Sequence, residues 1–352
     1  MPDLNLIKIE SAKTQISSLE SQLNVERTKK RDATLYSNSS KTHLAEIRVP
    51  PATKVRRTLK GHFGKVTSLH WSGDSSCVAS ASQDGKLLLW NANTTNKLKS
   101  ISLKSPYVMT VGMEQTKGNM VACGGLDNLV SIYKWNEPSQ AIQELAHHDG
   151  FVSCVRFCKG ESKILSGSGD SSLILWDVET GRVLEQLQEH AADVMSISIH
   201  AHNENIVASG SVDKTVKIWD LRKPKGSTQS FTGFHRGDIN AVDFTHDMVG
   251  TASQDGTCQL LDLRAHDTVG TLVGMDASDD QEGLTCCSFS KSGRILFAGH
   301  SNGTVAAWDV LKSAQPAFVL QAHDKHVSSL AVNNMGDALC TSSWDTTLKI
   351  WA

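Results

Sequence analysis

The chain has 352 residues, with 35 Lys and Arg set against 37 Asp and Glu and a formal net charge of −2. The cations are scattered along the sequence, which argues against a dedicated basic face for nucleic acid. No apolar run is long enough to cross a bilayer as a helix and no signal peptide opens the sequence, so the eight cysteines are expected as reduced, buried cytosolic thiols. Cys154 and Cys158 lack a second Cys/His pair at ligand spacing, and neither a metal nor a cofactor is expected.

Residues 1–35 are predicted to form an amphipathic helix. Ile9, Ala12, Ile16, Leu19 and Leu23 recur at steps of three and four, as in the a/d seam of a coiled coil, while Lys8, Glu10, Lys13, Glu20 and Asn24 fall on the other side. Two and a half heptads are too short to persist alone in water, so the seam requires a partner helix, either a second copy or a different chain. Residues 36–53, with Ser37, Ser39, Ser40, Pro50 and Pro51, carry no periodicity and read as a connector.

From residue 54 to 352 one unit repeats. In its clearest copy, LSGSGDSSLILWD from Leu165 to Asp177, two β-rich runs flank a tight turn and end on Trp-Asp. The turn acid or its substitute recurs at Asp84, Asp127, Asp170, Asp213, Asp255, Asn302 and Asp345, in steps of 42 to 47 residues. Six residues later come Trp90, Tyr133, Trp176, Trp219, Leu261, Trp308 and Trp351. This period and signature predict an all-β fold, a seven-bladed WD-repeat β-propeller of four-stranded blades preceded by the coiled-coil helix. The last repeat reaches only Trp351-Ala352 and lacks a strand, which the segment 54–60 is expected to supply, closing the ring and covering an open edge.

Five repeats carry a further set of polar residues. His62, His148, His190, His235 and His323 stand about 22 residues before their acids, and a Ser or Thr lies two and four before each acid. A carboxylate inside a sheet must be satisfied, so each acid, its His, a hydroxyl and the indole N–H are expected to pair as a buried network. In the Asp127 and Asn302 repeats the His is missing, and Cys123, Gly125, Ala298 and His300 replace the hydroxyls; such a network is kept or lost as a unit. A hydrolase reading of these groups fails because each set belongs to a different blade, whereas catalysis needs one convergent site.

The turns around the acids and the loops after the histidines are expected on one face. There they form a ring of Lys65, Lys86, Leu126, Asn128, Phe151, Asp193, Met195, Asp238, Asn240 and Trp344, with Tyr107 and Met109 at the equivalent place in the second repeat. Aromatic and Met side chains among Lys and Asp have the composition of a protein-binding hot spot. Phe151 and Met195 could equally tuck inward as packing. For Trp344, commitment of Asp345 to the network throws the indole outward. The acidic excess near Met275 to Gly283 reads as a solvated loop tip.

Several stretches resemble the beta subunits of heterotrimeric G proteins: the heptad helix, RRTLKGH at Arg56 to His62, SASQDGKL at Ser80 to Leu87, TTNK at Thr94 to Lys97, VACGGLDN at Val121 to Asn128, LLDLRA at Leu260 to Ala265, FSKSGR at Phe289 to Arg294, and the ending SWDTTLKIW. The resemblance covers essentially the whole chain, with departures at Thr67, Val212 and Gln254. It implies a non-enzymatic protein bound to a small prenylated gamma subunit through the helix. The ring, joined by Asn96 and Lys97, would capture a GDP-bound alpha subunit, and receptor-driven nucleotide exchange would release that face to effectors. Location at the cytoplasmic face of the plasma membrane and in the cytoplasm would follow, with membrane association through lipidated partners. A generic WD-repeat scaffold or adaptor is the competing reading, since it would use the same face without needing the heptad seam.

Overall fold

The computed structural model describes residues 13–16, 18–19, 21–22 and 53–352, apart from 138–139, 160–161, 224–225, 275–282 and 313. Residues 13–16, 18–19 and 21–22 are helical, and Ile16 and Leu19 of the heptad seam are 56% and 63% exposed. Ile9, Ala12 and Leu23 lie outside the described residues, as do the connector up to residue 52 and the acidic turn at 275–282.

Among the described residues, 28 strands form seven antiparallel four-stranded sheets, and in six of them the strands follow in chain order from the centre of the ring outward. These are blades 1 to 6, at residues 66–102, 108–146, 152–188, 194–231, 239–273 and 284–321. Blade 7 is composite. Its inner three strands come from residues 327–351, and Val55–Lys60 adds the outermost strand by pairing Arg57 with Ile350, Thr58 with Lys349 and Leu59 with Leu348.

Each blade is buried on both faces. The third strands therefore read as continuous apolar runs, such as Leu87-Leu88-Leu89-Trp90, rather than alternating ones. Successive side chains then serve different neighbours: Leu87 and Leu89 pack with Val111 and Met113 of blade 2, while Leu88 and Trp90 pack with Leu348 and Ile350 of blade 7. Seven apolar clusters arise in this way, one at each blade interface. All eight cysteines are buried in these layers as free thiols.

Every innermost strand carries a register shift one residue from its start, in the same place in all seven blades. The extra residues are Thr67, Met109, Ser153, Met195, Asn240, Thr285 and Ser328. A bulge re-aims the inserted side chain, and all seven line the central channel, whose volume is about 530 Å³.

Candidate functional site

The five histidine sets form nearly superposable networks. The His Nδ1 lies 2.7–3.1 Å from the Asp Oδ2 in the pairs His62–Asp84, His148–Asp170, His190–Asp213, His235–Asp255 and His323–Asp345. The Nε2 lies 2.7–2.8 Å from the hydroxyl of Ser80, Ser166, Ser209, Thr251 or Thr341. The indoles of Trp90, Trp176, Trp219 and Trp351 donate to the same hydroxyls at 2.8–3.0 Å. In blade 5, where Leu261 replaces Trp, the backbone N–H of Gln259 donates to Thr251 instead. One proton assignment satisfies every member: Nδ1–H donates to the carboxylate, and the hydroxyl accepts from the indole and donates to Nε2.

Only the hydroxyl four before the acid joins this network. The one two before it, on Ser82, Ser168, Ser211, Ser253 or Ser343, accepts the acid's own backbone N–H at 3.0–3.3 Å and so shapes the turn. The acid's second oxygen, Oδ1, accepts the backbone N–H two residues on at 2.9–3.0 Å. In blade 6, Asn302 keeps that turn contact through Thr304 but has no His, and Trp308 donates to Val273 O of the neighbouring blade.

The sequence Asp–His–Ser mimics a hydrolase triad in its hydrogen bonds. However, the hydroxyls of Ser80, Ser166, Ser209, Thr251 and Thr341 belong to fully buried residues, and four of the five already accept an indole N–H. No substrate can reach them, and the five sets sit in five separate blades.

Burial is the largest influence on both partners. It pushes His62, His148 and His190 below the usual imidazole range, only partly opposed by their carboxylates. It would raise the acids, but hydrogen bonds and the facing histidines hold Asp84, Asp170 and Asp213 below the usual carboxylate range. Both shifts have the same sign. Below the ordinary imidazole pKa of 6.5 the unfolded chain takes up protons that these folded histidines refuse, and below the carboxylate value of 3.8 it does the same for the acids. The melting temperature should therefore fall as pH drops below about 6.5 and fall more steeply below about 4. Calorimetry showing an unchanged melting temperature from pH 7 down to pH about 4.5 would overturn the neutral-histidine assignment.

Cutting Asp170 to Ala should cost about 1–3 kcal/mol, because His148 loses its acceptor and the turn loses its anchor. Asn302→Ala should cost less, since only the Thr304 contacts disappear. Thermal melts would show the order, and a more damaging Asn302 change would contradict the network.

A backbone hydrogen bond common to all seven blades, with or without a network, fixes the loop face. In each of the seven blades, the backbone N–H of the residue before the turn acid or its substitute donates to the carbonyl of the residue just before the innermost strand. The seven bonds, at 2.8–3.2 Å, are Gln83 to Lys65, Leu126 to Tyr107, Gly169 to Phe151, Val212 to Asp193, Gln254 to Asp238, Ser301 to Gly283 and Trp344 to His326. They bring Tyr107 and Leu126 together, 60% and 54% exposed. They also seat the Phe151 ring on Gly169, where a Cβ would lie 2.4 Å from the ring, so Phe151 is half-buried. Met109, Met195 and Asn240 point into the channel mouth, and Asn240 is tied to Gln254 and Leu284 O. Asn128 donates to Asp149 O, while Asp193 and Asp238 are half-buried. Asn96 is exposed beside Lys97, which donates to Gly61 O.

Trp344 is less free than its outward direction suggests. It stacks on His326 with ring centroids 4.2 Å apart, and Lys65 Nζ lies 4.0 Å from its centroid, leaving the residue 37% exposed. Burial and the charge of Lys65 keep His326 below the usual imidazole range. Two members of this face were missed in the sequence. His326 follows His323 by three, the spacing that yields Lys65 and Phe151. Phe63, 83% exposed and 5.9 Å from Lys86 Nζ, is a large apolar residue in a loop directly after a network histidine.

A seven-bladed propeller with Asp–His–hydroxyl–Trp networks and a mixed aromatic and cationic loop face is a WD-repeat protein. The description "G protein beta WD-40 repeat protein" matches residues 6–352, and the chain belongs to this family. It is 41% identical over 317 residues to the guanine nucleotide-binding protein subunit beta of Oryza sativa subsp. japonica, covering 84% of this chain and 82% of the relative. The subunit of the same name in Arabidopsis thaliana is 41% identical over 315 residues, with the same coverage. That of Nicotiana tabacum is 40% identical over 313 residues, covering 84% of this chain and 83% of the relative.

Proposed function

We propose that the chain is the beta subunit of a heterotrimeric G protein: it pairs with a gamma subunit through Ile9, Ala12, Ile16, Leu19 and Leu23, and presents the loop face to a GDP-bound alpha subunit. Receptor-driven nucleotide exchange on alpha frees that face for effectors. Lipidated partners hold the complex at the cytoplasmic face of the plasma membrane.

The observation that carries this reading is the loop face itself. It gathers exposed Phe63, Tyr107, Leu126 and Trp344 with Lys65 and Lys86 around turns that backbone hydrogen bonds tie to the innermost strands. Rigid aromatic anchors beside cations bind protein at low entropic cost. The exposed Ile16 and Leu19 favour it over a generic scaffold, because an apolar helical stripe left in water calls for a helical mate. The role is binding, not catalysis. Affinity capture of the full chain from native membrane extracts tests it: a small helical chain should co-purify throughout, and an alpha subunit with GDP but not with a non-hydrolysable GTP analogue. Equal capture of alpha in both nucleotide states would overturn the reading.

A further inference from the structure

The near-neutral total charge hides a local segregation. The outermost strand of blade 7, Val55–Lys60, lies beside the outer part of blade 1: the Arg57 Nε donates to Asn93 O, and Lys97 Nζ to Gly61 O. Together residues 53–63 and 91–104 contain seven Lys and Arg and no Asp or Glu.

Six of these seven cations have no carboxylate partner among the described residues; only Lys104 has one, Glu144. Arg56 donates to Ala352 O, Arg57 to Asn93 O, Lys97 to Gly61 O and Lys99 to Glu137 O, all backbone carbonyls that leave the charges uncompensated. Lys54, Arg56 and Lys60 are exposed, and the apolar side chains of Val55 and Leu98 stand among them at 40% and 42% exposure.

We propose that this strip rests on a bilayer surface containing anionic phospholipids. Outward cations on an edge strand also resist pairing with another sheet, but edge protection requires neither the complete lack of acids nor the interleaved apolar residues. Cations attract the negative surface potential within a Debye length, while short apolar side chains enter the headgroup boundary. Protein-binding hot spots are commonly centred on aromatic anchors, and the two strands carry none; Phe63 lies on the loop face. The strip is too weak to anchor the protein alone, so it would orient a complex held by lipidated partners. In that respect it rests on the proposed function.

The test uses the chain co-produced in bacteria with a gamma subunit, where no prenyl group is added, and sedimentation with vesicles. Binding is expected to phosphatidylcholine vesicles containing about one-third phosphatidylserine, not to phosphatidylcholine alone, and it should weaken with salt. Arg56→Glu with Lys60→Glu should reduce binding about tenfold or more. Lys159→Glu with Lys312→Glu, the same change of charge in blades 3 and 6, should have little effect; thermal melts check that both variants fold. Binding to both vesicle types alike, equal loss in the two variants, or no vesicle binding while the strip variant loses an acidic protein from extracts would overturn the proposal. Capture of GDP-bound alpha by the same preparations is read separately. Loss of that capture with intact vesicle binding would sink the subunit reading and leave the strip standing.

Discussion

If the proposed pairing holds, Leu19→Asp should abolish binding of a gamma subunit. Leu19 lies one helical step from Ile16, and both side chains are exposed, so a carboxylate there costs the isolated chain little. In the proposed coiled coil it would be desolvated without a partner, at about 3 kcal/mol or more, roughly a hundredfold or greater loss of affinity. Co-expression with a gamma subunit followed by gel filtration would read the stoichiometry. Full retention of the small chain would show that the seam faces something else. Because the blades are far from the substitution in sequence and have their own apolar layers, the variant's propeller should keep its strand content by circular dichroism.

Trp344→Ala should weaken binding to a GDP-bound alpha subunit by about 2 kcal/mol, roughly thirtyfold, without unfolding blade 7. The indole makes no hydrogen bond of its own in the Asp345 network, which is completed by His323, Thr341 and Trp351. What the indole contributes is a platform, stacked on His326 and held near Lys65. Lys65→Ala should therefore have two parts: loss of a steering charge, which salt abolishes, and greater freedom of the indole, which salt does not. Titration calorimetry at low and high salt separates them. Wild-type affinity in both variants would mean that this face serves another partner.

The sequence alone determined the architecture, because blade geometry is local and repeated. Every unit must place an acid, or Asn302 in its stead, at its turn and a large side chain six residues on, so the period is visible without any long-range information. The composite seventh blade was legible for the same reason: a third strand without a fourth is an open edge, and residues 54–60 were the spare strand. The histidine networks were legible because a buried carboxylate needs all of its partners. Their finer division was not. Which of two hydroxyls meets the histidine depends on strand pleat and register, and the tertiary structure assigned Ser166 to the imidazole and Ser168 to the turn.

The loop face was only partly legible. Spacing identified the loops, but not how their side chains settle once seven blades come together. The bulge that turns Met109, Met195 and Asn240 into the channel depends on strand register, which appears only when the inner strands pair. Trp344 could be assigned an outward direction from the two-residue alternation around Asp345. Its stacking on His326 required blade 7 to fold, and its approach by Lys65 required ring closure with blade 1, which brings residues 65 and 344 together. The cationic strip depends on the same closure: its two halves lie in different blades, and only the pairing of Val55–Lys60 with Thr347–Trp351 lays them side by side. Alternation and period are properties of the chain, whereas the neighbours across a closed ring are properties of the fold.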